Sequence, residues 1–444
     1  MIDLVLSAQD ANVLVANLTS GDTELCAVLL TALHTRGDSS ARLLVREMTF
    51  PEASDYTRVG KLQAELKPEF VAKVTKQAKL AELGLVFVHS HPGHDTPKFS
   101  HIDDDGERHL SDFMARRHAS RNHLALVVSK GGMCCRQLGT DEPVRVIAIG
   151  HDREILYPVS RPPIGQHERH DRQIRAFGPE GQAAIEELTV AIVGLGGTGS
   201  IVAQELAHLG VRKFVLADPD DVDATNLNRV AGATSKDIGH PKVDVAERLL
   251  KLIYPDSDVK KVRGDIVHER HARHLLEVDF IFGCTDSHGS RAVLQQVSYQ
   301  YLIACIDVGS TIVVCDGSVT HIIGRVQMLA PGMGCFTCAN LLDPIEVRHD
   351  MMSEAERRQD PYFQGAHQSA PAVMSLNGTV SSLGVTMFLS HVAHIPVPAR
   401  HLIYDAMASR LRSVWIDPIA NCYQCSRSGG YARGDAWPLN VRRD

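Results

Sequence analysis

Two histidines and an aspartate are the first residues in this 444-residue chain whose types and spacing could do chemistry. His89 and His91 stand at positions i and i+2 after the apolar run 85–88, and eleven residues separate His91 from Asp103. Side chains two apart on extended backbone point the same way, so both imidazoles can reach one ion. A carboxylate as third ligand leaves zinc a fourth position for water, as in catalytic sites. Peptide hydrolysis also needs a base, and Glu24 offers a carboxylate at the edge of an upstream core strand.

The second group is a glycine-rich turn between a predicted strand, Leu188–Val193, and a predicted helix. Its glycines permit a tight turn and let backbone amides approach a phosphate at the helix N-terminus; they are Gly194, Gly196, Gly197 and Gly199. Asp218 ends the next predicted strand, where an acidic side chain commonly accepts hydrogen bonds from a ribose. These features alone suit NAD as well as ATP.

Three cations and a carboxylate near this turn favour ATP. Hydride transfer has no need of Arg172, Arg229 and Lys242 around a pyrophosphate. Attack of a carboxylate on an α-phosphorus does need them, because negative charge builds up as pyrophosphate leaves. The reaction also needs magnesium on a hard carboxylate, which Asp286 could supply at the end of the predicted strand Val278–Phe282. The set therefore indicates adenylation.

Four cysteines form two Cys-x-x-Cys pairs, which are Cys335 with Cys338 and Cys422 with Cys425. Four thiolates without an open position are typical of a structural zinc. Because 83 residues separate the pairs, such a metal would tie the second pair back to the sheet. The alternative is two unrelated buried pairs.

The elements that must position these residues predict two α/β domains with a linker between them. The first region alternates short strands with one helical face; the strands are Glu24–Leu30, Arg42–Val45 and Leu85–Val88, and the helical face is Phe70, Val71, Val74 and Ala78. A polar, proline-containing seam interrupts the chain at Pro158–His170. The pattern then becomes strand, glycine turn and helix, the start of a doubly wound sheet; the helix face is Ile201, Val202, Leu206 and Leu209, and the next strand is Lys213–Ala217. We place the domains at 1–155 and 169–444, with a linker at 156–168.

Composition excludes several classes of protein. A formal net charge of −7 argues against nucleic-acid binding. No apolar run approaches the roughly 20 residues needed to span a bilayer, and the start lacks a signal peptide's basic flank and apolar core. Paired cysteines without a disulfide framework indicate metal binding or catalysis in a reducing compartment. We therefore expect a cytoplasmic protein that binds neither membrane nor nucleic acid.

The first region resembles the JAMM (MPN) metallopeptidases, a family of deubiquitinating and ubiquitin-like-processing enzymes. Their pattern is a glutamate on an early strand, then His-x-His-Pro, then Ser-x-x-Asp, which this chain matches with residues 89–92 and 100–103. The resemblance implies a cytidine-deaminase-like α/β domain with catalytic zinc on His89, His91 and Asp103. Glu24 would be the general base, and Ser100 would donate to the tetrahedral oxyanion. The loop is one residue longer than is usual, and we place the extra residue within 93–99.

The second region resembles the ThiF/MoeB family, whose adenylating fold is shared with ubiquitin-activating enzymes, from about Arg169 to Cys425. The resemblance implies a Rossmann-like domain with a structural zinc. It assigns ribose binding to Asp218 and magnesium, facing an acyl-adenylate, to Asp286. Contacts with the triphosphate fall to a polar set, Asn226, Arg229 and Lys242. The family is usually homodimeric, and Arg172 would reach into the partner subunit's site like an arginine finger.

Together the two resemblances favour an enzyme that acts twice on a ubiquitin-like protein with a glycine-ending tail. The first domain would cut at that tail, and the second would adenylate it for a conjugating-enzyme-like acceptor. A second hypothesis keeps the chemistry but makes the substrate a sulfur-carrier protein for cofactor or cysteine synthesis. A scaffold with one inactive half is the non-enzymatic alternative. An NAD oxidoreductase fits poorly, because no motif offers a proton donor beside a nicotinamide.

The chain departs from many ThiF relatives because the stretch Ala339–Asn421 contains no cysteine that could attack an adenylate. A hydroxyl of Ser353 or Ser369, with His367 as base, could replace it. The alternative is direct delivery of the adenylate to a partner's nucleophile. The other cysteines offer no thioester site: Cys284 is in the nucleotide strand, Cys305 and Cys315 are in core-like runs, and Cys134 and Cys135 belong to the first domain. We therefore predict no thiol-sensitive covalent link to a modifier.

Overall fold

The computed structural model describes residues 2–93, 95–119, 122–157, 168–359 and 371–443, which form two compact α/β units. The first unit comprises the described residues up to 157, together with the segments Gln300–Leu302 and Gly430–Pro438. The second unit comprises the other described residues from 168 onward. No helix in these ranges is long and apolar enough to cross a membrane.

The first unit is built on a mixed eight-stranded sheet with the order β10-β9-β1-β3-β2-β6-β7-β8, and a separate two-stranded sheet pairs β4 with β5. The strands are β1 Ile2–Ser7, β2 Cys26–Thr35, β3 Ala41–Thr49, β4 Tyr56–Val59, β5 Ala64–Leu66, β6 Gly84–Ser90, β7 Leu124–Ser129, β8 Gly132–Gln137, β9 Arg145–Ile149 and β10 Arg153–Tyr157. The helices are α1 Ala8–Leu18, α2 Pro68–Leu80 and α3 His101–Arg117.

Two apolar clusters hold these helices to the sheet. Residues of α1 such as Leu14 and Leu18 pack with Leu4 and Leu6 of β1. Helix α2 contributes the predicted face to the other cluster, with Phe70, Val74 and Ala78 buried and Val71 packed at the margin. Alternate residues of β2 enter the two clusters, as the two-residue period of a strand requires. The sheet is therefore covered on both faces.

The predicted first strand was wrong at its start, because β2 begins at Cys26 and leaves Glu24 outside it. The backbone N–H of Glu24 donates to the Gly60 carbonyl at 2.8 Å, and that of Leu25 donates to the hydroxyl of Ser90 at 3.0 Å. These two residues are hydrogen-bonded outside the strand ladder, which places Glu24 ahead of the sheet.

The segment Gly430–Pro438 completes the first unit around β2 and β3. The carboxylate of Asp435 accepts from the Thr35 N–H at 2.8 Å and contacts His34 Nδ1 at 2.9 Å. The guanidinium of Arg46 donates to the carbonyl of Tyr431 at 2.5 Å. His34 is 1% exposed and Arg46 is 8% exposed, so the segment makes contacts with two buried side chains of the unit.

The second unit contains an eight-stranded sheet with the order β13-β12-β11-β14-β15-β16-β17-β18. Its strands are β11 Thr189–Val193, β12 Lys213–Ala217, β13 Asp258–Val262, β14 Phe280–Gly283, β15 Ala304–Cys315, β16 Ser318–Leu329, β17 His401–Asp405 and β18 Arg410–Ser413. Its helices are α4 Asp171–Glu187, α5 Gly199–Leu209, α6 Lys242–Ile253, α7 Glu269–Ala272, α8 His288–Gln300, α9 Pro344–Met351, α10 Glu354–Gln359 and α11 Met374–Ala393.

The first five strands in this order, β13, β12, β11, β14 and β15, run parallel to one another. Strands β16, β17 and β18 continue the sheet with antiparallel pairing. Because β11 comes first in this unit and lies between β12 and β14, the strand order reverses there. The carboxyl ends of strands at such a switch point form the ligand crevice of doubly wound sheets. The turns after β11 and β14 flank that crevice, and they contain the glycine-rich turn and Asp286.

One prediction about the core was wrong. Cys305 is fully buried in β15, but Cys315 is exposed. The reason is the length of the hairpin formed by β15 and β16, each of 12 residues, which carries Cys315 out to its turn. The apolar run around Cys315 includes Val313 and Val314, and both are exposed at the surface.

Candidate functional site

The glycine-rich turn is shaped first by the protein's own packing. Gly194 has φ +86°, and a Cβ there would stand 2.5 Å from the carbonyl oxygen of Cys284 at the end of β14. A Cβ at Gly197 would overlap the side-chain amide of Asn377, and one at Gly199 would overlap the carbonyl of Gly194. These three glycines are therefore required for the turn to fold against its neighbours.

Gly196 is different, because no neighbouring protein atom requires a glycine at this position. A Cβ built there meets no protein atom within 4 Å, and its φ lies outside the left-handed region. The space beside its Cα is open just before α5, and the first amides of a helix lack partners within the helix. Close approach of a phosphate to those amides would require this glycine.

The buried carboxylate of Asp218 holds the glycine-rich turn in place by hydrogen bonds. It is only 4% exposed; one carboxylate oxygen accepts from the Leu195 N–H at 2.6 Å and the other accepts from the Asp220 N–H at 2.8 Å. Burial raises the pKa of Asp218, and the nearby charge of Lys242 opposes that rise. The carboxylate therefore fixes the glycine-rich turn to the end of β12, the position from which it would also reach a ribose.

The predicted cations lie around the same turn. Lys242 is the first residue of α6, and its Nζ is 2.7 Å from Asp220 and 3.9 Å from Asp218. The Cδ of Arg229 is 3.3 Å from where a Cβ of Gly197 would stand, so Arg229 packs beside the turn. The structure thus brings the turn, Lys242 and Arg229 together.

The other predicted residues of this site differ in exposure. Asn226 is 5% exposed, and its side-chain oxygen caps a short 3₁₀ turn by accepting from the Asp223 N–H. Asp286 is an exposed carboxylate two residues after Cys284, which contacts Gly194, and such oxygens are the ligands that magnesium prefers. Arg172 is exposed on the first turn of α4.

In the first unit the structure gathers His89, His91 and Asp103. Their ligand atoms all lie within 4.8 Å of one another. The two carboxylate oxygens of Asp103 are 3.0 Å from His89 Nε2 and 3.7 Å from His91 Nε2. Ligands about 2.1 Å from a tetrahedral zinc stand about 3.4 Å apart, which falls between these distances. The spacing of these donor atoms therefore fits a metal ion.

Helix α3 and strand β6 position these ligands. His89 is the penultimate residue of β6, where it pairs with Cys26 of β2 and with Val127 of β7, and His91 directly follows the strand. Asp103 is in the first turn of α3 and forms a capping box with Ser100, whose N–H donates to the Asp103 carboxylate at 2.6 Å. Burial disfavours the ionised carboxylate of Asp103. The hydrogen bond and the positive charge of His89, together with the hydrogen bonds from Ser100, outweigh burial and hold the pKa of Asp103 well below its usual range.

Glu24 lies at this site with its carboxylate 3.6 Å from His91 Nε2. It is 6% exposed, and burial raises its pKa to about 7, with Asp103 adding to the rise and His89 opposing it. The hydroxyl of Ser100 accepts from the Asp103 N–H at 3.3 Å, so in this structure it serves as a helix cap.

Sequence reasoning missed the arginine that anchors α3. Arg136 of β8 donates to Asp104 and Glu107 at 2.7 Å each, one residue and one turn beyond Asp103. Its guanidinium also lies 3.9 Å from the ring centre of Phe99. No periodic pattern links these residues, so the sequence carried no signal for this anchor.

The four paired cysteines converge in the second unit. The Sγ of Cys335 is 3.6 Å from those of Cys338 and Cys422, and that of Cys338 is 3.5 Å from Cys425. A disulfide would need about 2.0 Å. Thiolates about 2.3 Å from a tetrahedral zinc stand about 3.8 Å apart, so the cluster fits such an ion.

Comparison with known proteins identifies the family. The profile of the ThiF family matches residues 170–424. The chain belongs to the ThiF family.

Two relatives of this ThiF protein carry names that refer to different substrates. Ubiquitin-like modifier-activating enzyme 5 of Xenopus laevis is 25% identical over 303 residues, 61% of this chain and 72% of that protein. Sulfur carrier protein ThiS adenylyltransferase of Escherichia coli (strain K12) is 29% identical over 265 residues, 59% of this chain and 95% of that protein. The chain spans 58% of the length of ubiquitin-like modifier-activating enzyme 5 of Rattus norvegicus. A crystal structure of E. coli MccB with ATP has a TM-score of 0.47 and 18% identity, over 59% of this chain and 75% of that one.

Two serine hydroxyls are predicted to replace the missing cysteine of this ThiF protein, and the structure describes one of them, that of Ser353. The hydroxyl of Ser353 donates to the Glu356 carboxylate at 2.7 Å and caps α10. His367 and Ser369 lie outside the described residues. Cys284 is buried, and that burial raises the pKa of its thiol far above the usual value.

Proposed function

We propose that this ThiF protein uses ATP and Mg²⁺ to adenylate the C-terminus of a ubiquitin-like or sulfur-carrier protein. The observation that carries the proposal is Gly196, which leaves bare backbone open at the switch point of a ThiF-family sheet. Around it stand the groups that the chemistry needs, namely a buried carboxylate, two cations and an exposed carboxylate. The names of the relatives point to the two substrate classes, both of them small carrier or modifier proteins.

The reaction assigns a role to each of these residues. A carboxylate oxygen of the substrate's terminal glycine forms a bond to the α-phosphorus of ATP, and the bond from that phosphorus to the bridging oxygen breaks as pyrophosphate leaves. The amides of the turn would hold phosphates. Lys242, Arg229 and Asn226 would face the triphosphate and offset its growing charge. Asp218 would bind the ribose, and Asp286 would hold Mg²⁺.

Arg172 would complete the site from the second subunit of a homodimer. The residue is exposed at the start of α4 and therefore available to another chain. An arginine supplied in trans stabilises charge that develops during phosphoryl and nucleotidyl transfer. The acceptor of the adenylate would be a nucleophile on a conjugating-enzyme-like or sulfur-pathway protein.

Exchange of labelled pyrophosphate into ATP tests this function. The protein is incubated with Mg²⁺ and each small β-grasp-like protein encoded in its own genome. We expect exchange with one of them and a loss of at least about 100-fold in Asp286→Ala. Asp256→Ala, an exposed aspartate between α6 and β13, is the matched control and should exchange at the wild-type rate. Absence of exchange with every candidate would refute the proposal.

A second activity is favoured by the cluster in the first unit. We propose that residues 1–155 form a JAMM-type peptidase joined through 156–168 to the adenylation domain at 169–444. The supporting observation is the fit of His89, His91 and Asp103 to a metal ion, with Glu24 beside them. Zinc bound there would polarise a water molecule. Glu24 would take a proton from that water and pass it to the leaving amine, while Ser100 would donate to the oxyanion if its helix cap opened.

Metal content and cleavage test this peptidase together. Asp103→Ala should lower bound zinc by one equivalent, measured by mass spectrometry, and abolish cleavage of a precursor or conjugate of the modifier found above. Glu24→Gln should keep the zinc and lose turnover, because only the proton carrier is removed. The neighbouring exposed residue His101 provides the control, and His101→Ala should change neither value. Equal zinc content in wild type and Asp103→Ala would defeat the assignment.

A further inference from the structure

We propose that Asp350 is a positioning residue for Asp286 and thereby sets the Mg²⁺ requirement of the adenylation site. The inference rests on the proposed adenylation function. Asp350 lies in α9, which follows the first cysteine pair, and Asp286 lies in the turn after β14. The two aspartates are joined through the N-terminus of α8.

The contact is a helix cap supplied from a distant part of the chain. One carboxylate oxygen of Asp350 accepts from the hydroxyl of Ser287 and from the backbone N–H of Gly289, both at 2.8 Å. The same hydroxyl accepts from the Ser290 N–H at 3.0 Å. The first amides of a helix lack partners within it, and a negative charge beside them is favourable. Asp350 thus supplies, 61 residues from Gly289 in sequence, what a local cap would normally provide.

Gly289 makes this approach possible. A Cβ at this position would stand 2.5 Å from the Cβ of Asp350 and 3.2 Å from a methyl group of Val267. Its φ is not in the left-handed region, so space rather than backbone conformation explains the glycine. Helix α9 therefore rests directly on the backbone of α8.

Two further contacts hold Asp350 in place. At the start of α9, the N–H of Asp343 donates to Nδ1 of His288 at 3.2 Å. At its end, Arg357 of α10 donates to the carbonyls of His349 and Asp350 at 2.9 and 3.0 Å. Helix α9 is thus fixed at both ends, and the carboxylate of Asp350 has a defined place against α8.

Asp286 directly precedes the capped residues. The N–H of Ser287 donates to the hydroxyl of Thr285 at 3.1 Å, while the Ser287 hydroxyl is held by Asp350. The backbone on the carboxyl side of Asp286 is therefore fixed by α9. Displacement of a binding group by about 1 Å can cost about 100-fold in a precisely built site. Removing the cap should thus weaken the contribution of Asp286 even though its side chain is unchanged.

The test measures how binding of N-methylanthraniloyl-ATP to the full chain depends on Mg²⁺ concentration. In Asp350→Ala the Mg²⁺ concentration for half-maximal binding should rise about tenfold, with near-normal binding at saturating Mg²⁺. Asp350→Asn keeps an acceptor oxygen and should recover most of the shift. The control is Asp343→Ala, which removes the side-chain cap of α9 itself but not the bond from its backbone to His288. Its Mg²⁺ requirement should equal that of wild type.

Hydrogen exchange supplies a readout that is independent of nucleotide. The amide of Gly289 should exchange faster in Asp350→Ala than in wild type or Asp343→Ala. An unchanged Mg²⁺ requirement in Asp350→Ala would overturn the inference, as would an equal shift in Asp343→Ala. If wild type binds the nucleotide with Mg²⁺ but never exchanges pyrophosphate, the adenylation function fails while the effect of Asp350 on Asp286 is still measured. If wild type binds no nucleotide at any Mg²⁺ concentration, both proposals are overturned.

Discussion

Substituting Gly196 by alanine should separate nucleotide binding from folding. A Cβ at Gly196 meets no protein atom within 4 Å and needs no left-handed backbone, so the folded state can accommodate it. In contrast, a Cβ at Gly199 would overlap the carbonyl oxygen of Gly194. The same chemical change, a single methyl group, therefore acts on the ligand in one case and on the protein in the other.

The magnitudes follow from these environments. A methyl group that holds a phosphate away from one backbone amide removes a hydrogen bond to a charged group, which contributes about 1.5–3 kcal/mol. The dissociation constant for ATP should then rise about 10- to 150-fold in Gly196→Ala. The free energy of unfolding should stay equal or rise by up to about 1 kcal/mol, because alanine restricts the unfolded chain. In Gly199→Ala it should fall by about 1–3 kcal/mol through overpacking.

Calorimetric titration with ATP and Mg²⁺, together with thermal unfolding without nucleotide, checks both expectations. Gly21→Ala is the matched control, because Gly21 is an exposed glycine of the first unit whose Cβ also meets nothing within 4 Å. Gly21→Ala should leave the ATP affinity unchanged, and its free energy of unfolding should, as in Gly196→Ala, stay equal or rise by up to about 1 kcal/mol. Wild-type ATP affinity in Gly196→Ala would refute the reasoning that this backbone is open for a phosphate. A large loss of stability in the same variant would refute the packing argument.

Three further outcomes are expected. Cys338→Ser should remove one equivalent of zinc and lower the midpoint of thermal unfolding, because the four-thiolate set loses a ligand, whereas Cys315→Ser should do neither; equal metal content in both variants would contradict a zinc site here. Mixing Arg172→Ala with Asp286→Ala subunits should restore part of the pyrophosphate exchange that each lacks alone, since a mixed dimer has one intact composite site; no recovery would mean that the arginine acts in its own subunit's site or that the protein is not such a dimer. Incubation with ATP and modifier should give no adduct that reductant removes, judged by denaturing gels with and without thiol; a reductant-sensitive band that one cysteine substitution abolishes would disprove this.

Local spacing predicted much of the candidate sites. His89 lies in β6, His91 directly follows that strand, and Asp103 is in the first turn of the next helix, so short-range geometry was enough to bring them together. The strand, glycine turn and helix of the second unit likewise follow from a pattern confined to residues 188–217, and the Rossmann-like fold of the ThiF region is confirmed. Convergence of the two cysteine pairs rested on chemistry rather than spacing, because four thiolates at two distant places satisfy one ion.

The rest depends on contacts between distant residues of ordinary type. The partners of Asp350 lie 61–63 residues away in sequence, and those of Arg136 lie 29–32 residues away. No periodic pattern in the sequence predicts either contact. The wrong burial of Cys315 has a related cause. An apolar run predicts a core strand, but whether that strand still has neighbours depends on the lengths of the surrounding strands. Such lengths are set by the whole sheet and are not visible in the run itself.

The segment Gly430–Pro438 has a consequence for how the first unit comes into being. During synthesis, β2 and β3 emerge long before this segment. The segment begins 384 residues after Arg46, whose guanidinium donates to the carbonyl of Tyr431 in the folded unit. At about 5–20 residues per second this is a delay of about 20–80 seconds. In that interval His34, Thr35 and Arg46 lack the contacts that Asp435 and Tyr431 later provide. A fragment that stops at residue 157 would remain permanently in this early condition, so a separately expressed first unit should be rebuilt with residues 430–438 supplied as a peptide or a fusion.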